Sequence, residues 1–436
     1  MLLNKLNNPG RLQFSVLGLL LGVSFALYVY RFPLGGGNIT LLRVTMILLG
    51  IYLLISVANL KRRISGGYWA LLIGTVFLIA INFYYYSSLD EYPIPQREIV
   101  SHSINLFLML QIVLLIDSRE QLILILHGFI FTSLVAISIG YFGFFYETIP
   151  FESILREYGS ESAVGTSYII QDGDFFRLSG AFMDPNFFGI YLLTVLIFST
   201  WLYVIHAKNN FYLLIAGLAL TTLFFTLSRT AMIGLLVFGS VYIFLWQDRW
   251  KLVILAALGF LVVVATVGIV VLAPALFDRL LNTESAGDRV RFISKGIEEF
   301  VAHPLFGSGV INIIDDETGI ATAHLMYITV LAKFGIFGAC AYFLFIFYPI
   351  LNVIFVGRRF LKEYRIFIFG LYVPLFAMYF LYDFLMFLEF QYLIFAIGYS
   401  VALSSYSKKA NRIGQQNKSV PNRLIDSHDP ASLGVR

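Results

Sequence analysis

"RLSGAFMDPNFFG" (Arg177–Gly189) runs directly into the apolar stretch "IYLLTVLIFSTWLYVI" (Ile190–Ile205). Asp184 followed by Pro185 starts a helix: a carboxylate caps free backbone N–H groups, and proline suits the first helical position. About twenty nearly uncharged residues follow, enough at ~1.5 Å per residue to cross a hydrocarbon core of ~30 Å. Arg177, Asp184 and Asn186 are therefore crowded against a membrane edge. Capping accounts for Asp184. It does not account for Arg177 or Asn186.

The same pattern repeats along the chain. Of its 436 residues, 59% are hydrophobic and 13% are charged. That excludes an ordinary soluble domain and reads as an all-α polytopic membrane protein. About twelve spans are expected, at 12–30, 39–60, 67–86, 99–116, 121–145, 185–205, 211–227, 230–246, 251–274, 325–356, 366–382 and 390–405. The first is too long for a signal-peptide core and lacks a small-residue cleavage site, so it is read as retained. The tenth is long, and Phe334-Gly335 divides it into an interfacial turn and a spanning helix. Residues 1–407 are expected to form one transmembrane domain, and the polar composition of the tail 408–436 is that of a disordered segment. The single cysteine, Cys340, permits no intrachain disulfide.

Short basic connections set the orientation: Lys61–Arg63, Asp117–Glu120, His206–Asn210, Gln247–Lys251, Gly357–Arg365, and Lys408-Lys409 in the tail. Such loops stay in the cytoplasm, which places both termini there. The long loops 146–184 and 275–324 then face outward. On that side stand Arg31, Arg43, Arg97, Arg156, Arg177, Arg229, Arg279, Arg289 and Arg291, with Lys295 as the only outer-loop lysine. Outward arginines oppose the positive-inside preference. A planar guanidinium offers two-point recognition of phosphate or carboxylate that lysine lacks.

Three further segments join Arg177 on this face. "TLSRTAMIG" (Thr226–Gly234) turns sharply between two apolar runs and carries Ser228 and Arg229. "GDRVRFISKGIEEFVAHPLFGSG" (Gly287–Gly309) spaces Val290, Ile293, Ile297, Phe300 and Val301 as one face of an amphipathic surface helix. Arg289 borders that face, Arg291 and Lys295 fall on the polar, solvated side, and Gly307 and Gly309 shape the turn that follows. "TAHLMYITVLAKFGIFG" (Thr322–Gly338) opens the tenth span with His324, a general-base candidate.

In this order the motifs resemble the O-antigen ligase and polysaccharide polymerase superfamily of bacterial membranes. The resemblance rests on Arg177, Gly180, Pro185 and Asn186; on Ser228 and Arg229; on Arg289, Pro304, Leu305, Gly307 and Gly309; and on His324, Gly335 and Gly338. It implies glycosyl transfer at the outer face of the bacterial cytoplasmic membrane. The donor is a polyprenyl-diphosphate-linked (undecaprenyl-type) glycan. The acceptor is another lipid-linked repeat unit for an O-antigen or capsular polymerase, or a lipid A core for a lipopolysaccharide ligase. Arg177, Arg229 and Arg289 would neutralise the departing diphosphate, and His324 would take the acceptor proton. Asp184, Asn186, Ser228, Arg291, Gly307, Gly309 and Tyr327 are expected to bind substrate. Membrane lipid and a chain-length regulator are expected partners, and nucleic acid is not.

No metal or other cofactor is expected, because arginines can carry the charge. Asp172-Gly173-Asp174 resembles a metal-binding Asp-x-Asp, and Asp315-Asp316 is a second acidic pair, but both lie in loops where Asp and Gly serve turns. The first outer loop, "RFPLGGGN", holds no acid. A transporter would concentrate ionisable residues near the bilayer midplane. Here they crowd the surface instead, which favours surface chemistry over passage.

Overall fold

The computed structural model describes residues 9–27, 31–34, 37–40, 44–45, 47–48, 51, 80, 105–116, 118–146, 169–172, 175–182, 184–205, 209–245, 284–308, 325–356, 362–378 and 394–401. The helices are α1 (Pro9–Ala26), α2 (Asn105–Leu115), α3 (Arg119–Tyr146), α4 (Pro185–Ile205), α5 (Asn210–Phe225), α6 (Arg229–Leu245), α7 (Glu284–Ala302), α8 (Met326–Val356) and α9 (Lys362–Met378), followed by helical residues 394–401. Among them α3, α4 and α8 are long and apolar enough to cross a membrane, and α5 and α6 are shorter apolar helices. The expected spans 67–86 and 251–274 lie almost wholly outside the described residues, as does most of 39–60, whose start is corrected: Ile39 and Thr40 belong to a strand. The helix expected over 366–382 begins earlier, at Lys362, because the polar residues "KEYR" make its first turn.

Helix starts follow local chemistry. Ser118 and Gln121 form a reciprocal capping box, with the Ser118 N–H donating to Gln121 Oε1 at 3.1 Å and the Gln121 N–H to Ser118 Oγ at 3.3 Å. The Asn209 side chain caps α5 by accepting from the Phe211 N–H at 3.0 Å. Helix α4, apolar all round, is buried along most of its length. It packs against α3, α5, α6 and α9. At one end Trp201 meets the Phe367 ring at 4.4 Å and donates to the Glu363 carbonyl at 3.1 Å. Helices α1 and α3 approach through small residues: a Cβ on Gly128 would lie 2.4 Å from the Gly18 backbone, so neither position has room for a side chain.

Two antiparallel hairpins interrupt the all-helical expectation. One pairs β1 (Arg31–Leu34) with β2 (Gly37–Thr40), and the other pairs β3 (Ile169–Asp172) with β4 (Phe175–Leu178). In the second, Asp172 is paired with Phe175, so the apparent Asp-x-Asp straddles the hairpin connection. Gly173-Asp174 has the composition that two-residue hairpin loops favour.

The break expected at Phe334-Gly335 is present. Gly335 adopts φ 62° and ψ −173° inside α8, a region that only glycine occupies readily. The break disturbs the helical hydrogen bonding, and the turn after α7 compensates. Ser308 N–H donates to Ala332 O at 2.9 Å, while the Ile336 and Phe337 N–H groups donate to Pro304 O (2.9 Å) and Leu305 O (3.2 Å). Gly307, also at positive φ, approaches so closely that a Cβ there would lie 2.4 Å from Lys333 O. The turn thereby satisfies backbone groups that the break would otherwise leave without partners. Gly335→Ala is expected to cost at least ~1–3 kcal/mol from the backbone alone. A thermal unfolding midpoint in detergent unchanged from wild type would refute that.

Candidate functional site

The hairpin β3–β4 delivers Arg177 to the start of α4. Leu178 and Ser179 are buried beside it. Gly180 then turns the chain at φ +55°, and a Cβ there would press on the Phe188 ring at 3.0 Å. The 3₁₀ turn Gly180–Phe182 seats Phe182 against Phe188 and Tyr191, with ring centroids 5.5 and 4.8 Å apart. This is the physical content of the Arg-x-x-Gly spacing: glycine permits the corner that fixes Arg177 above the helix start. Asp184 then caps α4, accepting from the Asn186 N–H at 2.6 Å.

The second motif meets the first here. Leu227 takes φ 49°, unusual for a branched residue, and closes the sharp turn between α5 and α6. Ser228 caps α6 by accepting from the Ala231 N–H at 3.2 Å, and its hydroxyl donates to Asn186 Oδ1 at 2.9 Å. The same Oδ1 accepts from Arg177 Nη2 at 3.4 Å, while Arg177 Nε donates to the Thr226 carbonyl at 3.1 Å. Gly189 allows this proximity, since a Cβ there would lie 2.8 Å from Ala231 Cβ. Two helix N-termini and one guanidinium are thereby held together. Each N-terminus contributes partial positive charge beside the guanidinium, and at α4 the Asp184 carboxylate already offsets part of it.

Thr226 was not among the residues singled out from sequence. It contributes a main-chain carbonyl, and its hydroxyl accepts from the Ser228 N–H at 3.3 Å. The Thr-x-Ser spacing is a signal of such a turn, but nothing in the sequence identifies the carbonyl's partner.

Arg229, the first residue of α6, is exposed. Arg289 lies in α7, with its side chain outside the described residues, as are His324 and Gly309 in full. Gly307 serves the backbone junction with Gly335. Tyr327, in the first turn of α8, donates to the Phe376 carbonyl at 3.1 Å. Arg291 and Lys295, expected on the polar, solvated side, are both half-buried, and the Arg291 guanidinium carbon lies 5.3 Å from the Phe292 ring centroid. The cause is α7 packing through Phe292 and Gly296, which are buried, whereas Ile297 and Val301 stay exposed.

Residues 213–343 match the family model described as O-antigen ligase. The match supports the O-antigen ligase and polymerase superfamily, and with the apolar helices it supports a membrane protein. It takes in Ser228, Arg229, Arg289, His324 and Gly335, and stops short of Arg177 and Asn186. No curated protein matches the chain.

Proposed function

We propose that this protein is a polymerase that joins polyprenyl-diphosphate-linked oligosaccharide repeat units at the outer face of the bacterial cytoplasmic membrane. The observation that carries this reading is the bonding of Arg177 and Asn186 onto the Thr226–Ser228 turn, inside the family-matched segment. An acceptor hydroxyl attacks the anomeric carbon of the donor glycan. The bond from that carbon to the diphosphate oxygen breaks, and the diphosphate leaves with the bonding electrons. His324 takes the hydroxyl proton. Arg177, Arg229 and Arg289 meet the growing negative charge, an effect strongest where donors are fixed before reaction.

Asn186, Asp184 and Ser228 hold Arg177 in register, and Arg291, Gly307, Gly309 and Tyr327 border the path of the glycan or its lipid. The termini are cytoplasmic in this reading, and a chain-length regulator is a partner.

A ligase reading is favoured by the description of the matching family. In it the same donor is attacked by a hydroxyl of a lipid A core. The two separate when purified protein receives a lipid-linked repeat unit alone. A ladder of products is the expected result. No product until a lipid A core is added would establish ligation instead.

A further inference from the structure

We infer that the turn joining α7 towards α8 is a hydrophobic wedge seated in the membrane leaflet at the N-terminal end of α8, and that the membrane crossing of α8 begins at Gly335. The argument starts from length. Helix α8 runs from Met326 to Val356. At ~1.5 Å per residue it measures ~46 Å, well beyond a hydrocarbon core of ~30 Å. From Gly335 onward about 22 residues remain, or ~33 Å, which matches the core.

The exposed side chains agree with that boundary. Beyond Gly335, the large apolar residues Ile336, Phe337, Leu344, Ile354 and Phe355 are exposed. At about 100° per residue they fall within roughly 100° of one another, so they form one stripe along the helix. Before Gly335, Met326, Val330, Ala332, Lys333 and Phe334 are buried in protein, and none of the exposed large apolar residues lies there.

The turn is fixed to this boundary by the backbone bonds of Pro304, Leu305 and Ser308 across the break. Phe306 and Phe337 lie with ring centroids 5.7 Å apart. Leu305 is 52% and Phe306 64% exposed, and Val301, on the last turn of α7, is 68% exposed. The Phe306–Phe337 contact joins the exposed apolar turn to the exposed stripe of α8. The turn's continuity with a membrane-crossing surface identifies the occupant as lipid acyl chains. The wedge thus fixes the depth of the C-terminal end of α7, the helix that carries Arg289, whichever sugar transfer the protein performs.

Full-length protein carrying Cys340→Ser, reconstituted in phosphatidylcholine–phosphatidylglycerol vesicles, tests this with nitroxides at single introduced cysteines. Power saturation with oxygen reports lipid, and with a water-soluble nickel chelate reports solvent. Phe306→Cys should show several-fold higher relative oxygen accessibility than Glu298→Cys on the exposed side of α7, and should match Phe337→Cys, which lies at the same depth. A position 306 as open to the chelate as 298 would overturn the wedge. So would a position shielded from both reagents, because protein or a second copy would then cover it. Leu305→Cys gives the same readout if Phe306→Cys does not fold.

Discussion

Replacing His324 by alanine is expected to lower turnover by about 10²–10⁴-fold, the usual worth of a positioned acid–base group. His324 precedes the first residue of α8, Met326, by two positions. A base placed there removes a proton from the acceptor and makes no bond to the diphosphate, so the donor KM should change little while kcat falls. The pH profile supplies a second readout. A base must be neutral to act, so wild-type kcat should rise with pH as the imidazole gives up its proton. In His324→Ala that limb should vanish. Unchanged turnover, or an unchanged limb, would remove His324 from the chemistry and leave a carboxylate or the substrate diphosphate as acceptor of the proton.

The parts of this structure that were legible in the sequence are those decided locally. Asp184-Pro185 marks the start of α4, and the charge-poor run behind it ends at Ile205, where the helix ends. Gly335 was readable as a break because an over-long apolar run needs one. What escaped was set by partners distant in sequence. Nothing in "HPLFGSG" shows that its backbone will repair a helix broken at Gly335. The β3–β4 hairpin is short, and its alternation is too weak to stand out beside long apolar helices. Arg291 lay on the polar side by periodicity, yet the packing of Phe292 and Gly296 draws it partly into the protein.

The site divides along the same line. Residue types and their order pointed to arginines at a membrane edge. The Arg177–Thr226 bond, between residues 49 apart, was not readable, because a carbonyl is present at every position and only the turn's geometry aims this one.

That bond makes Arg177→Lys the sharpest test of the arginine's role. Arg177 spends Nε on the Thr226 carbonyl and an Nη2 proton on Asn186, two directions fixed by a rigid planar group. A lysine ammonium is a point charge on a flexible stem. It can approach one of these acceptors, but it cannot hold both and present a fork to a diphosphate. Charge is kept and orientation is lost, so the rate should fall by about 10²–10³-fold, as when one oxyanion donor is removed. Arg119→Lys, at the first residue of α3, is the control and should keep normal turnover. Asn186→Asp separates positioning from charge. It retains an acceptor for Ser228 and Arg177 but adds a negative charge beside the guanidinium, which should weaken donor binding and raise KM while leaving the thermal midpoint near that of wild type. If Arg177→Lys retains near-normal product formation, the guanidinium is a structural tie between β4 and the Thr226 turn. The diphosphate must then be met by Arg229 and Arg289 without it.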